Sequence, residues 1–406
     1  MAEKTDLLII GAGCAGLSLA LNLVEAGITD HSITVVDPRT SFHNDRTWCF
    51  WNLQPHLFED AVSYRWANWR LAGSGSEVVQ GSSQYSYQHL SAEDFYRLAL
   101  QKLQRVPNVQ LKLGQKALSL TDNDFGVLVE TNKGPIEAKL AFDSRPVFPR
   151  LIPGQDKAGE IYLYQHFKGF VVEVTHPLFD PTVATLMDYR VDQSSGIHFI
   201  YMLPFTERTA LVEATYISPR GIPRANYEQS LKDYLQREYG TGDYAIKRRE
   251  EGLIPMSTVA YPLHPSPHVY NIGGRGGMVR PSTGYAFSKI QQHSKQLAQS
   301  LTAGCDSRGE ITPFEPKAAR GPFTNFMDRV FLSYLQHYPE RAPSLFEDLF
   351  ARTEPEALVR FLSEQGSSSD ILQVVKSLPV LPFIKEVLQL YAPQILHDRA
   401  SLYRRA

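Results

Sequence analysis

Three sets of residues in this chain have the types and spacing that chemistry needs. The first is Gly11-Ala12-Gly13-Cys14-Ala15-Gly16. It follows the apolar run Leu7–Ile10 and opens an apolar helical stretch, with Ile33–Val36 and Asp37 beyond. In that setting Gly11 permits a tight turn, Gly13 lets backbone approach a pyrophosphate, and Gly16 lets the helix pack on the strand. The helix N-terminus adds N–H donors and a partial positive charge for phosphates. Asp37, 21 residues past Gly16, is placed to accept from a ribose hydroxyl. Strand, glycine turn, helix, strand and acid together describe a dinucleotide site. Its place at the head of the sequence favours a permanently held FAD over NAD bound in passing. The second set is Gly273-Gly274-Arg275-Gly276-Gly277, after the apolar run Val269–Ile272, continuing to Pro281, Thr283, Gly284 and Tyr285. The third is a pair of acids, Glu213 and Glu250.

The elements that position these groups follow from periodicity. Ser91-Ala92-Glu93-Asp94 reads as a helix start, with an apolar face over Phe95–Leu103. Residues 109–113 and 127–131 alternate as strands, and Leu140–Asp143 is a short apolar strand returning to the nucleotide domain. Residues 168–216 are strand-rich, with Phe170–Val174, Ile197–Leu203 and Thr209–Tyr216 at strand length and a turn at Pro204–Glu207. This predicts an antiparallel sheet inserted as a substrate domain. Tyr227–Glu238 has helical spacing, a helix follows from about Gly284, and 321–406 is helical in pattern. The expected fold is α/β: a Rossmann-like FAD-binding domain (1–75, 90–165 and 250–305), a substrate sheet (76–89 and 166–249) and a helical region (306–406). Residues 41–70 hold all four tryptophans, Trp48, Trp51, Trp66 and Trp69. They either pack the core of an irregular segment or wall a pocket for a flat or unsaturated ligand.

Composition narrows the class. At 406 residues the chain holds two domains or one with a large insertion. A net charge of −2 implies no broad nucleic-acid patch. Cys14, Cys49 and Cys305 are too scattered for a metal site or a disulfide framework, which suits a reducing cytoplasm. No secretory signal precedes Leu7, and no run of about 18 uninterrupted apolar residues occurs that would span a bilayer.

The second glycine cluster, Ile272 through Tyr285, resembles the flavin-contacting segment of the lycopene β-cyclase family. So does Arg249-Glu250-Glu251-Gly252-Leu253-Ile254-Pro255-Met256. Asn44-Asp45-Arg46-Thr47-Trp48-Cys49-Phe50 is similar to that family's Asn-x-Thr-Trp-x-Phe motif with one residue inserted. Pro339–Pro343 through Leu378–Phe383 also resembles the bacterial carotenoid cyclases, so the likeness runs along nearly the whole chain. The family's paired acids are here Glu213-Ala214-Thr215, with the second acid absent. Flavin hydroxylases usually carry Gly-Asp where this chain has Gly273-Gly274, and Asp-Gly where it has Asp143-Ser144.

The resemblance implies a redox-neutral closure of an end group on lycopene or another acyclic carotene. Reduced FAD is required, with NAD(P)H as its reductant. It also implies that Gly11, Gly13, Gly16, Asp37, Arg46, Thr47, Trp48, Asp143, Arg145, Gly273, Gly276, Gly277, Pro281, Thr283, Gly284 and Tyr285 serve the flavin. Protonating an alkene needs a carboxylic acid that burial keeps neutral. Glu213 fits, since alternation puts Leu211, Glu213 and Thr215 on one face; otherwise it sits on a solvated face. Glu250 is the second candidate, or else a structural partner of Arg248 or Arg249. A hydrophobic carotenoid lives in lipid, and the apolar stretch 371–392, interrupted by Lys376 and Lys385, either packs internally or lies on a membrane surface. Competing readings are a flavin monooxygenase or oxidoreductase of a hydrophobic polyene or prenylated small molecule, and a carotenoid carrier without chemistry.

Overall fold

A computed structural model describes residues 2–73, 75–146, 160–221, 224–304 and 310–403, with side chains described except at 224, 225 and 392–403. Cys305 lies outside the described residues. The chain opens with β1 (Glu3–Ile10), α1 (Cys14–Glu25) and β2 (Ile33–Asp37), then β3 (Thr47–Trp51), β4 (Val62–Trp66), β5 (Asn68–Ala72), β6 (Glu77–Gly81) and β7 (Tyr87–Ser91). Next come α2 (Ala92–Leu103), β8 (Val109–Leu113), β9 (Ala117–Asn123), β10 (Gly126–Thr131) and β11 (Ile136–Asp143). The middle of the chain supplies β12 (Tyr162–Glu173), β13 (Val183–Asp188), β14 (Ile197–Pro204), β15 (Thr209–Ser218), α3 (Arg224–Tyr239) and β16 (Ala245–Ser257). It ends with β17 (Val269–Asn271), α4 (Phe287–Gly304), α5 (Pro322–His337), α6 (Ala342–Arg352), α7 (Pro355–Leu362), α8 (Ser368–Ser377) and α9 (Val380–Tyr403).

The first sheet runs β8-β2-β1-β11-β10-β9, with β17 beside β11. β1 pairs in parallel with both β2 and β11 over Leu7–Ile10, so that half of the strand is buried on both faces and reads as an unbroken apolar run. α1 packs its apolar residues on this sheet and on α4. Ser91 caps α2 as its sequence suggested: its hydroxyl accepts from the Asp94 N–H at 3.1 Å and donates to the Asp94 carboxylate at 2.7 Å.

The second sheet runs β16-β12-β15-β14-β13-β5-β6 and is antiparallel except where β13 meets β5. It takes in residues 68–72, 162–165 and 250–257, which the sequence pattern had placed with the nucleotide domain. β5 forms a local hairpin with β6, but the pairings that carry these segments into this sheet, β5 with β13 and β12 with β16, are distant in sequence, so no local signal marks them. β3, β7 and β4 form a third small sheet, where the tryptophan-rich segment read as irregular. Trp51, Trp66 and Trp69 pack in the core beneath the second sheet. The indoles of Trp66 and Trp69 are satisfied, donating to the Pro204 carbonyl at 3.2 Å and to Gln80 at 3.3 Å.

The C-terminal helices are tied to the second glycine cluster by buried charge. Arg280, 1% exposed, pairs with Asp328 of α5 at 3.1 Å and donates to the Phe361 carbonyl of α7 at 2.8 Å. Ser282 donates to the same Asp328 oxygen at 2.7 Å. Arg320 reaches the Met278 carbonyl at 3.0 Å and Glu364 at 2.8 Å. Removing one member of a buried pair leaves the other charge without compensation. Asp328→Ala is therefore expected to destabilise the protein by about 3–5 kcal/mol, read as a lowered urea midpoint. An unchanged midpoint would show that Arg280 finds another partner.

Candidate active site

Two adjoining cavities lie where the three sheets and the C-terminal helices meet. The first, of about 1420 Å³, is larger than the usual range for drug-sized ligands, about 300–1,000 Å³. Gly11 and Gly13 line it, and Gly16 packs behind them. A Cβ at Gly16 would fall 1.9 Å from the Gly11 carbonyl oxygen, and Gly11 itself has φ of +103°. No larger residue fits this helix–strand approach. Gly273, Gly276, Gly277 and Pro281 form another wall. Arg39, Arg46, Arg145 and Arg275 bring four guanidinium groups to the same cavity, a donor set suited to phosphate oxygens.

Two aspartates, Asp37 and Asp143, stand differently toward this cavity. Asp37 lines the cavity, but its carboxylate already accepts from the Ala12 amide at 2.7 Å and from the Arg39 side chain at 2.9 Å. These donors hold its proton affinity below the ordinary carboxylate range against the opposing effect of burial. Asp143 does not face the cavity. It is buried behind the wall, bonded to Arg145 at 2.8 Å and to Arg275 at 3.1 Å. Its effect on a ligand would run through the arginines it aims.

The second cavity, of about 530 Å³, shares Arg46, Trp48, Val279 and Ala286 with the first. Its wall is largely apolar and aromatic: Trp48, Tyr87, Phe199, Tyr201, Tyr285 and Phe287, closed on one side by Phe346, Leu349 and Phe350 of α6. Of the four tryptophans, Trp48 alone lines it among the described residues. Thr47, Thr283, Gly284 and Tyr285, expected beside the flavin, line this second cavity rather than the first. The Tyr87 and Tyr201 hydroxyls are 3.0 Å apart.

Glu213 lies in this wall with Leu211 and Thr215, as the alternation of β15 predicts. Glu250 lies beside it. The register explains how. Glu250 on β16 is opposite Gly169 on β12, Gly169 is opposite Glu213 on β15, and Glu213 is opposite Tyr201 on β14. A second acid thus comes beside Glu213 from two strands away. Thr47 donates to Glu250 Oε2 at 3.1 Å, and Arg248 pairs with the same oxygen at 2.8 Å. Glu250 Oε1 is buried with no hydrogen-bond partner. Burial first, and the neighbouring Glu250 second, push the proton affinity of Glu213 well above the ordinary carboxylate range, while Arg248 opposes them. His89 sits close by, both ring nitrogens without a hydrogen-bond partner, its pKa pushed down to about 4 chiefly by burial. No group of three or more metal-ligating side chains occurs among the described residues.

Sequence reasoning did not find Gly169, Tyr87, Tyr201 or the α6 residues, while the pairing of Glu250 with Arg248 that it left open is present. Gly169 alone carried a signal, a glycine inside a strand pattern, which marks close approach.

A sequence profile for the family described as "Lycopene cyclase protein" matches residues 6–388. A protein named lycopene beta cyclase from Synechococcus elongatus is 26% identical over 321 residues, covering 76% of this chain and 75% of that protein. A lycopene beta-cyclase from a Paracoccus species is 28% identical over 232 residues, 54% of this chain and 57% of that one. Among solved structures, a flavoprotein/dehydrogenase from Cytophaga hutchinsonii superposes with a TM-score of 0.61 at 16% identity, covering 96% of this chain and 99% of that one. A geranylgeranyl bacteriochlorophyll reductase-like protein from Thermoplasma acidophilum gives 0.57 at 14% identity, covering 99% and 100%. At such identities the likeness concerns the fold.

The Gly16 contact yields a direct test of the first cavity. Gly16→Ala forces the turn apart, at an overpacking cost of about 1–3 kcal/mol. The purified variant is expected to retain less dinucleotide than the parent, by absorbance and release on denaturation. Equal retention would separate this turn from ligand binding.

Proposed function

The chain belongs to the lycopene cyclase protein family, and from that footing we propose that it is a FAD-dependent, redox-neutral cyclase. It closes beta-ionone end groups on lycopene or a related acyclic carotene. The observation that carries this reading is Glu213: a buried carboxyl of raised proton affinity in an apolar cavity that opens beside a dinucleotide cleft.

The first cleft suits FAD. Its glycine turn leaves no room for a side chain at Gly16, and Arg39, Arg46, Arg145 and Arg275 are among the arginines that line it, cations that two phosphates would need. When bound in its reduced form, FAD would supply electron density to stabilise a developing cation, with NAD(P)H as the proposed reductant. Arg145 and Arg275, aimed by Asp143, and the N–H groups at the start of α1 would hold the pyrophosphate.

The protein's own groups account for the rest. Glu213 gives its proton to a terminal alkene, and the adjacent double bond attacks the resulting tertiary cation to form the ring bond. Glu250 takes the proton lost from the neighbouring carbon, so one proton enters, one leaves, and no electrons are consumed. Acid–base catalysis of this kind contributes about 10²–10⁴-fold. The aromatic wall keeps water from the cation and adds cation–π attraction of about 0.5–2 kcal/mol per ring.

We also propose that the protein works in the cytoplasm, against a membrane surface, where such a substrate is dissolved. No helix among the described residues is long and apolar enough to cross a membrane. Yet α8 and α9 expose Leu372, Val375, Val380, Leu381, Ile384 and Leu388, with Leu381 79% exposed and Lys376 and Lys385 nearby. That composition suits lying in an interface.

Glu213→Gln is expected to lower cyclisation by about 10²–10⁴-fold with flavin still bound; an unchanged rate removes Glu213 from the acid role. Because donation needs the protonated form and its affinity is raised, the falling limb of the cyclisation profile should lie well above the ordinary carboxylate range. A rate that peaks only in acid would mark an ordinary exposed carboxylate. Anaerobic incubation of lycopene with the flavin-reduced protein should give cyclic product without stoichiometric NAD(P)H consumption. Oxygen uptake coupled to NAD(P)H oxidation would instead support the monooxygenase reading. Leu381→Asp with Leu388→Asp should abolish flotation of the protein with liposomes; undiminished flotation rejects this surface.

A further inference from the structure

We propose that Gly169 is a positioning residue: by presenting no side chain, it lets the Glu213 and Glu250 carboxyl groups meet across β12 and hold one proton between them. The proposal rests on the reading of Glu213 as proton donor and says what keeps that donor loaded.

The geometry is that of a row across the sheet. Glu250, Gly169 and Glu213 are opposite one another on β16, β12 and β15. Strands two apart are separated by about 10 Å, a gap that side chains bridge only if the strand between leaves room. A Cβ built at Gly169 meets Glu213 Cγ at 2.6 Å, Oε1 at 3.1 Å and Cδ at 3.3 Å, and these are its three nearest neighbours. Even one methyl group would therefore occupy the path that Glu213 takes toward Glu250. Gly169 does not have a left-handed backbone conformation, so space, not backbone freedom, is what glycine provides here.

The surroundings fix which carboxyl carries the charge. On β16, Arg248 sits on Glu250; on β3, Thr47 donates to it. No such donor to Glu213 occurs among the described residues. The other titratable groups lining the cavity or facing the pair are Asp45, Arg46 and Cys49 at and before β3, Tyr87 and His89 on β7, Tyr201 on β14, Glu251 on β16, and Tyr285. Burial keeps Cys49, Tyr87, His89, Tyr201 and Tyr285 neutral near pH 7, Arg46 pairs with Asp45, and Arg248 is the cation in contact with Glu250. A carboxylate beside a carboxylic acid favours a shared proton. It also gives the proton accepted by Glu250 after ring closure a direct return to Glu213, which resets the site without opening it.

The test uses the full-length, flavin-loaded protein and follows the carboxyl C=O infrared band through a pH titration, without substrate. The parent should show a protonated-carboxyl band that persists well above the ordinary carboxylate range and is absent in Glu213→Gln. In Gly169→Ala the midpoint of that band should fall. The alkaline limb of the cyclisation profile should move with it, and kcat should drop by about 10²-fold with KM and flavin content retained. Glu250→Gln, nearly isosteric, should lower the midpoint by about one pH unit or more, and it keeps the proposal testable if Gly169→Ala fails to fold. An unchanged midpoint in either variant overturns the proposal. Loss of cyclisation with all bands as expected would leave the pair intact and refute only the proposed substrate.

Discussion

Two carboxyl groups side by side, buried in a largely apolar cavity wall, cannot both carry charge at moderate cost, and the architecture is arranged around that constraint. The sheet order brings Glu250 and Glu213 to one row, Gly169 leaves the space between them open, and Arg248 with Thr47 compensates a single negative charge. The raised proton affinity of Glu213 follows first from its burial in the apolar wall and then from this placement beside Glu250.

The same logic explains why the site lies on a seam. The parallel sheet supplies a rigid turn and arginines, groups that hold a polar dinucleotide. The antiparallel sheet supplies alternating faces, one packed beneath α3 and the other lining a cavity. Trp48 and Arg46 touch both spaces. The C-terminal helices join the two halves: α6 closes the apolar cavity, while α5 and α7 fasten the second glycine cluster through Arg280 and Asp328. A buried ion pair gives little net stability, but here it fixes the turn that separates the two cavities.

Much of this was legible locally. The turn at Gly11–Gly16, the Ser91 cap and strands such as β8 and β15 announce themselves through neighbours within a few residues. What escaped depends on pairing between distant segments. β5 joins the second sheet through β13, over a hundred residues away, and β3 and β7 made a sheet where aromatic residues suggested irregular chain. Glu250 could be named as a candidate acid, yet its nearness to Glu213 depends on the order β16-β12-β15, which no spacing encodes. Asp143 sat in the right segment, but its carboxylate is turned onto Arg145 and Arg275 rather than the cavity. Of the two readings left open for the tryptophans, both hold: Trp48 is wall, and Trp51, Trp66 and Trp69 are core.

The central claim is that ring closure adds one proton and removes another. A single turnover by protein equilibrated in D2O, with the pigment analysed by mass spectrometry, addresses it most directly. The account predicts one deuterium fixed to carbon for each ring closed and an otherwise unchanged elemental composition. A cyclic product without deuterium, or one carrying added oxygen, would contradict it.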